Sequence, residues 1–120
     1  MIHFDKTWFG GVKINGQNFR DVIVVGEEIE ERDDQRLHQL FGRAHWIGDW
    51  EVEKLLSNNP EIVIIGNGTG GLLEVTSEVE EKFKTAGVEL RILLTPQAIA
   101  EFNKLYQESK RVNALIHTTC

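Results

Sequence analysis

The sequence predicts an α/β fold, one domain over residues 1–120. A mixed sheet carries helices packed on it, with two C-terminal βαβ units and an N-terminal β-hairpin element. Three observations predict it. The β-branched run Ile62-Val63-Ile64-Ile65 ends in Gly66, the pattern of a parallel strand covered on both faces. Two further apolar runs, Val88 to Leu94 and Val112 to His117, follow it with helix signals between. Upstream, Asn15-Gly16 stands between apolar stretches, and Asn-Gly suits a two-residue hairpin turn with φ > 0 at both positions.

The hairpin strands are expected at Val12-Lys13-Ile14 and Phe19 to Val25, with Gly10 and Gly11 punctuating the entry and Trp8 and Phe9 packing on the sheet. Residues 26–48 are the least patterned. Leu37, Leu40 and Phe41 mark one helical face, which Gly42 and Gly48 keep short. Asp49 can cap a second helix with Val52, Leu55 and Leu56 inward, ending at Asn58-Asn59-Pro60 because the residue before proline avoids the helical region. Ser77 and Glu80 read as a capping box that opens a helix with Val79, Phe83 and Ala86 inward and Gly87 at its end. Thr95-Pro96 starts another, where proline's missing N–H costs nothing, and Ile99, Phe102, Leu105 and Tyr106 form its inward stripe. Right-handed crossovers then make the last three strands parallel and near neighbours.

Thirteen basic against 19 acidic residues give a net charge of −6, and the basic residues are scattered, so the patch expected of a nucleic-acid binder is missing. No apolar run is long enough for a membrane span, and the first residues lack the pattern of a secretion signal. The expected location is the cytoplasm. One cysteine excludes a disulfide framework within the chain. Glu27, Glu28, Glu30, Glu31, Asp33 and Asp34 crowd eight residues with only Arg32 among them. They read as a solvated loop or frayed helix, with a docking strip for a basic partner as the alternative.

Three segments carry a resemblance. Pro60 to Gly68 is similar to a "pE-x-apolar-G-x-G" strand and loop, Ala100-Glu101-Phe102-Asn103-Lys104-Leu105 to an "A-x-aromatic-N-x-L" helix, and Arg111 to Cys120 to an "R-V-x-x-apolar-apolar-H-x-T-C" tail. On these the chain resembles the Mth-type domain family, with the match weakest over residues 26–50. The resemblance implies a compact three-layer α/β domain with no catalytic residues to carry over. It also implies a role like that of the family's assembly or regulatory proteins, which act through protein contacts.

The chemistry worth weighing sits near Gly66-Asn67-Gly68-Thr69-Gly70-Gly71, which satisfies G-x-G-x-x-G. The setting is wrong for a dinucleotide site. The helix start at Ser77 comes six residues after Gly71, and Glu89 begins the next strand where an acid should end it. No cofactor is expected. The loop reads either as a tight positive-φ turn or as a nest for a small anion or a partner's carboxylate. Parallel strands would gather this loop, Thr95 and His117 on one edge, a candidate ligand site. His117 and Cys120 differ by an odd number, so an extended tail points them apart and disfavours a thiol dyad. His3, His38, His45 and His117 have no metal-ligand spacing, and no metal is expected. Trp46 or Trp50 could anchor a partner, with core packing the commoner fate. The reading is therefore a non-catalytic protein-interaction or assembly module, with a protein partner or homo-oligomer. The alternative is a small-anion-binding protein or enzyme at the glycine loop.

Overall fold

A computed structural model describes residues 1–120. The elements in chain order are β1 (Phe4–Trp8), β2 (Gly11–Ile14), β3 (Gln17–Phe19), β4 (Val22–Val25), β5 (Glu28–Glu31), α1 (Asp34–Phe41), α2 (Asp49–Leu55), β6 (Ile62–Asn67), α3 (Ser77–Thr85), β7 (Glu89–Leu93), α4 (Thr95–Gln107) and β8 (Val112–His117). They form a small antiparallel sheet, β1-β2-β3, and a mixed five-stranded sheet in the order β5-β4-β8-β6-β7. β6 pairs in parallel with both β7 and β8, while β4 pairs antiparallel with β8 and β5.

The connections explain the layers. From β6 the chain steps outward to β7 through α3, then returns past β6 to β8 through α4. Because the second step reverses direction, a right-handed crossover lays α4 on the opposite face. Side-chain alternation along the central strands divides the core accordingly. Ile62, Ile64, Val112, Ala114 and Ile116 pack with α4 and the small sheet. Val63, Ile65 and Leu115 pack with Val52 and Leu55 of α2 and with Val79 and Phe83 of α3. Every residue of β8 is buried, since it lies mid-sheet with both faces covered.

Several local expectations shift. Asn15 (φ 50°) and Gly16 (φ 81°) make the expected turn, but it joins β2 to β3 only. Val22–Val25 leaves at Arg20-Asp21 and enters the large sheet beside β8. Phe9 is exposed rather than packed on the sheet. The acidic run is not a loop or a frayed helix. Glu28–Glu31 is an edge strand against β4, and Asp33 caps α1 by accepting the Arg36 N–H. Leu37 alone of the α1 trio is buried. Gly48, not Asp49, is the N-cap of α2, and Thr76, not Ser77, caps α3, its hydroxyl accepting the Val79 N–H at 3.2 Å. Ala86 is an exposed C-cap residue.

One buried ion pair binds the irregular segment to the helices. Arg32 donates to both carboxylate oxygens of Glu51, at 2.7 and 2.9 Å, and both side chains are within 1% of full burial. Its remaining N–H groups reach Asp21 and the carbonyls of Ala44 and Trp46, so all five donors are used. Removing the guanidinium alone strands a buried carboxylate. Arg32→Met is expected to lose about 3–5 kcal/mol, and Arg32→Met/Glu51→Leu to recover most of it. Urea unfolding of the two variants measures both values.

Candidate functional site

The three C-terminal strands run the same way, and their carboxyl ends bring Gly66–Gly71, Thr95 and His117 to one edge of the sheet. Connections leave β6 and β7 toward opposite faces there, the place where open α/β sheets hold ligands. In this chain the crevice is sealed. The Gly68 N–H donates to Thr95 Oγ1 at 3.0 Å, and the Thr95 hydroxyl donates to the His117 carbonyl at 2.5 Å. The Thr95 N–H returns to the Gly68 carbonyl at 3.2 Å. The segment after β8 then lies across the loop. Thr69 N–H donates to the Thr119 carbonyl, and the N–H groups of Gly70 and Leu72 both donate to the Cys120 main-chain oxygen, at 2.8, 3.0 and 2.9 Å. The nest expected to take an anion thus holds oxygens of the chain's own backbone. Asn67 and Gly71 lie alongside, and a buried Asn67 Oδ1 has no partner.

The His117 side chain does not face the glycines. Alternation along β8 sets it on the side of Asn113 and Leu115, toward α2, while Gly66 packs against Ile116 and Ala98 on the other side. There its Nδ1 lies 2.6 Å from Asp21 Oδ2. Asp21 is charged and can only accept, so Nδ1 carries the proton. Its Nε2 lies 3.2 Å from the Thr119 hydroxyl. Asp21 Oδ1 accepts the N–H and hydroxyl of Thr118, both at 2.7 Å. Burial alone would raise the Asp21 carboxyl. The hydrogen bond and charge of His117, with the Thr118 bonds, outweigh it and bring it from 3.8 to about 2.

These groups floor a cleft of about 310 Å³. Arg20, Arg43, His45 and Thr119 line it, as do Glu31 and Asp34. The His45 ring stands edge-on to His117, 5.2 Å between centroids, and is held below its ordinary pKa by burial, then by His117 and Arg43. Sequence reasoning named His117 but missed Asp21 and the Arg32–Glu51 pair behind it. Their signals were slight: Arg32 as the lone cation in an acidic run, and Glu51 on the inward stripe of α2 with Val52 and Leu55. Trp46 and Trp50 are partly buried, Trp46 beside Phe41 and Trp50 beneath Arg36.

Residues 4–117 match the family described as "Protein of unknown function (DUF498/DUF598)". The chain belongs to this family. Among solved structures it is similar to the protein named MT938, at 30% identity with all of both chains covered and a TM-score of 0.80. It is similar also to the conserved hypothetical protein PH1505 from Pyrococcus horikoshii OT3, at 28% identity, 98% of each chain and a TM-score of 0.85. A likeness to a Bordetella pertussis protein described as a Mth938-like domain extends over 98% of this chain and 85% of that one, at 17% identity and a TM-score of 0.64. The Mth-type resemblance carried by the 60–68, 100–105 and 111–120 motifs is thereby shown for family and fold. No helix is long and apolar enough to cross a membrane.

Two outcomes follow from this edge. Gly68 has φ +104°, and a Cβ there would meet the Cys120 oxygen at 2.7 Å. Gly68→Ala is expected to cost about 2 kcal/mol or more and to release the 118–120 segment, seen as faster exchange of the Gly70 and Leu72 amides. Asp21 is lower in the folded than in the unfolded chain, so its stabilisation is complete above pH 4 and lost as pH falls toward 2. It is worth about 2 kcal/mol. Denaturant midpoints of Asp21→Asn should lack that part of the acid limb.

Proposed function

We propose that this domain is a non-catalytic protein-interaction module of the cytoplasm, of assembly or regulatory type, and that it docks an extended segment of a partner chain along β7. The observation that carries this reading is the asymmetry of the two edges of the five-stranded sheet. At one edge, β5 presents Glu28, Glu30 and Glu31, charges that discourage pairing with another strand. At the other, β7 is open. The Glu89 N–H turns inward to the Glu61 carbonyl, so alternation turns the amides of Leu90 and Ile92 outward.

The side chains beside that edge support the same reading. Leu90 and Ile92 share a face and, with Phe83 and Val88, floor a groove against α3, whose rim carries Glu80, Glu81 and Lys84. Ile92 and the following Leu94 are exposed. An added strand would satisfy the outward amides, and its alternate apolar side chains would enter the groove. With Glu80 and Glu81 on the rim and a net charge of −6, the segment that fits best is apolar at every second position and flanked by lysine or arginine.

A ¹⁵N-labelled sample titrated with a lysine-flanked peptide of alternating valine and threonine tests this. Saturable shifts are expected at the Leu90 and Ile92 amides, weakened at least roughly tenfold in Ile92→Lys. Unmoved Leu90 and Ile92 amides, or shifts equal in Ile92→Lys, would overturn the reading. Light scattering on the unliganded chain distinguishes self-pairing as the occupant.

A further inference from the structure

We infer that the cleft beside His117 is a binding site for a small oxyanion, the carboxylate or phosphate group of a metabolite, held between Arg20 and Arg43. The inference concerns a different surface from β7 and stands on its own observations.

The floor is built and closed. Asp21 accepts from four donors: the Thr118 N–H and hydroxyl, His117 Nδ1 and Arg32 Nη1. Arg32 spends its five N–H groups on Glu51, Asp21 and two carbonyls. Neither needs a ligand, and neither can turn toward one without leaving a buried partner unmatched. What they contribute is a fixed, polar wall. The Thr119 hydroxyl is drawn into it by His117 Nε2 at 3.2 Å.

Two cations are left over. The arginines that pair with carboxylates are Arg32, Arg91 and Arg111. Arg20 and Arg43 line the cleft without such a pair. Two acids, Glu31 and Asp34, line it as well. Glu31 Oε2 accepts the main-chain N–H of Arg20 at 2.8 Å, and Asp34 sits in the first turn of α1, 3.7 Å from His38. His45, lowered from its ordinary pKa by burial and then by His117 and Arg43, adds a ring N–H in either protonation state. Two planar guanidinium forks facing one volume are the donor geometry that carboxylate and phosphate oxygens match. The volume, about 310 Å³, is at the small end of ligand pockets and suits a metabolite smaller than a nucleotide.

The full chain, ¹⁵N-labelled, is titrated with inorganic phosphate and separately with acetate, the ionic strength held constant with sodium chloride. Saturable shifts are expected at residues 20, 43, 45 and 119, half-complete at roughly millimolar anion. Which of the two anions saturates first identifies the oxyanion. In Arg20→Gln/Arg43→Gln the affinity should fall at least roughly tenfold. Both positions are exposed, so the melting temperature should move little. Ile92→Lys should bind the anion like the parent chain. Linear shifts with both anions, or saturable shifts unchanged in the double arginine variant, would overturn the inference. So would shifts centred on residues 69–72, which would return the site to the glycine loop.

Discussion

Asp21 is the point at which the irregular part of this chain is fastened to its regular part. It lies between β3 and β4, where the backbone passes from the small sheet to the large one, and its carboxylate gathers Arg32, His117 and Thr118. Through Arg32 it reaches Glu51 on α2 and the carbonyls of Ala44 and Trp46, the segment between α1 and α2. Through Thr118 it fixes the residues that lie over the glycine loop. A buried ion pair of this kind is weak evidence for stability, since apolar replacements of similar volume often do as well. What it supplies here is position. Residues 42–48 contain no regular secondary structure and send one residue, Ile47, into the core, and α1 buries a single leucine, so apolar contact alone does little to place them.

That fastening also decides what happens at the carboxyl edge. A parallel sheet whose connections diverge leaves a crevice there, and the fold class alone would suggest a ligand in it. Thr95 closes this crevice by serving at once as acceptor for Gly68 and donor to His117. The 118–120 segment then occupies the amides of residues 69, 70 and 72. Gly68 and Gly70 are explained by that closeness. Gly68 must be glycine because the Cys120 backbone passes within contact of its α-carbon, not because a phosphate needs to approach. Of the G-x-G-x-x-G glycines, Gly68 marks a close backbone approach, while Gly66 and Gly71 face side chains. The approaching group is simply the chain itself.

The parallel half of the fold was legible because its signals are local and strong. Ile62–Ile65, the Thr95-Pro96 start and the α4 stripe each depend on a few neighbouring residues. Their order then implied the crossover topology. The first half was harder, for physical reasons. Val22–Val25 follows the hairpin so closely that it reads as its second strand, and only the pairing with β8, some ninety residues away, pulls it into the other sheet. β5 carries three glutamates in four residues and owes its strand to β4 and to the one packed residue, Ile29. The candidate site was legible in part. His117 could be placed on the correct edge, but its direction depends on which side of the sheet β4 and α2 deliver Asp21 and Glu51. Those are long-range partners that no local spacing marks.

The same electrostatics bear on which kind of partner the open edge can hold. A second copy of this chain would bring its own −6 net charge, and its own Glu80 and Glu81, toward the same groove. Strand pairing would gain backbone hydrogen bonds and some apolar burial from Leu90, Ile92 and Leu94, but like net charges would oppose it at every separation within the screening length. A basic-flanked strand gains the same backbone bonds and apolar contacts with the charge term reversed. The net negative charge thus also tilts β7 away from self-pairing. The glutamates of β5 act in the same direction at the far edge, so of the two edges of the five-stranded sheet the charge distribution favours β7 for pairing with a basic-flanked strand.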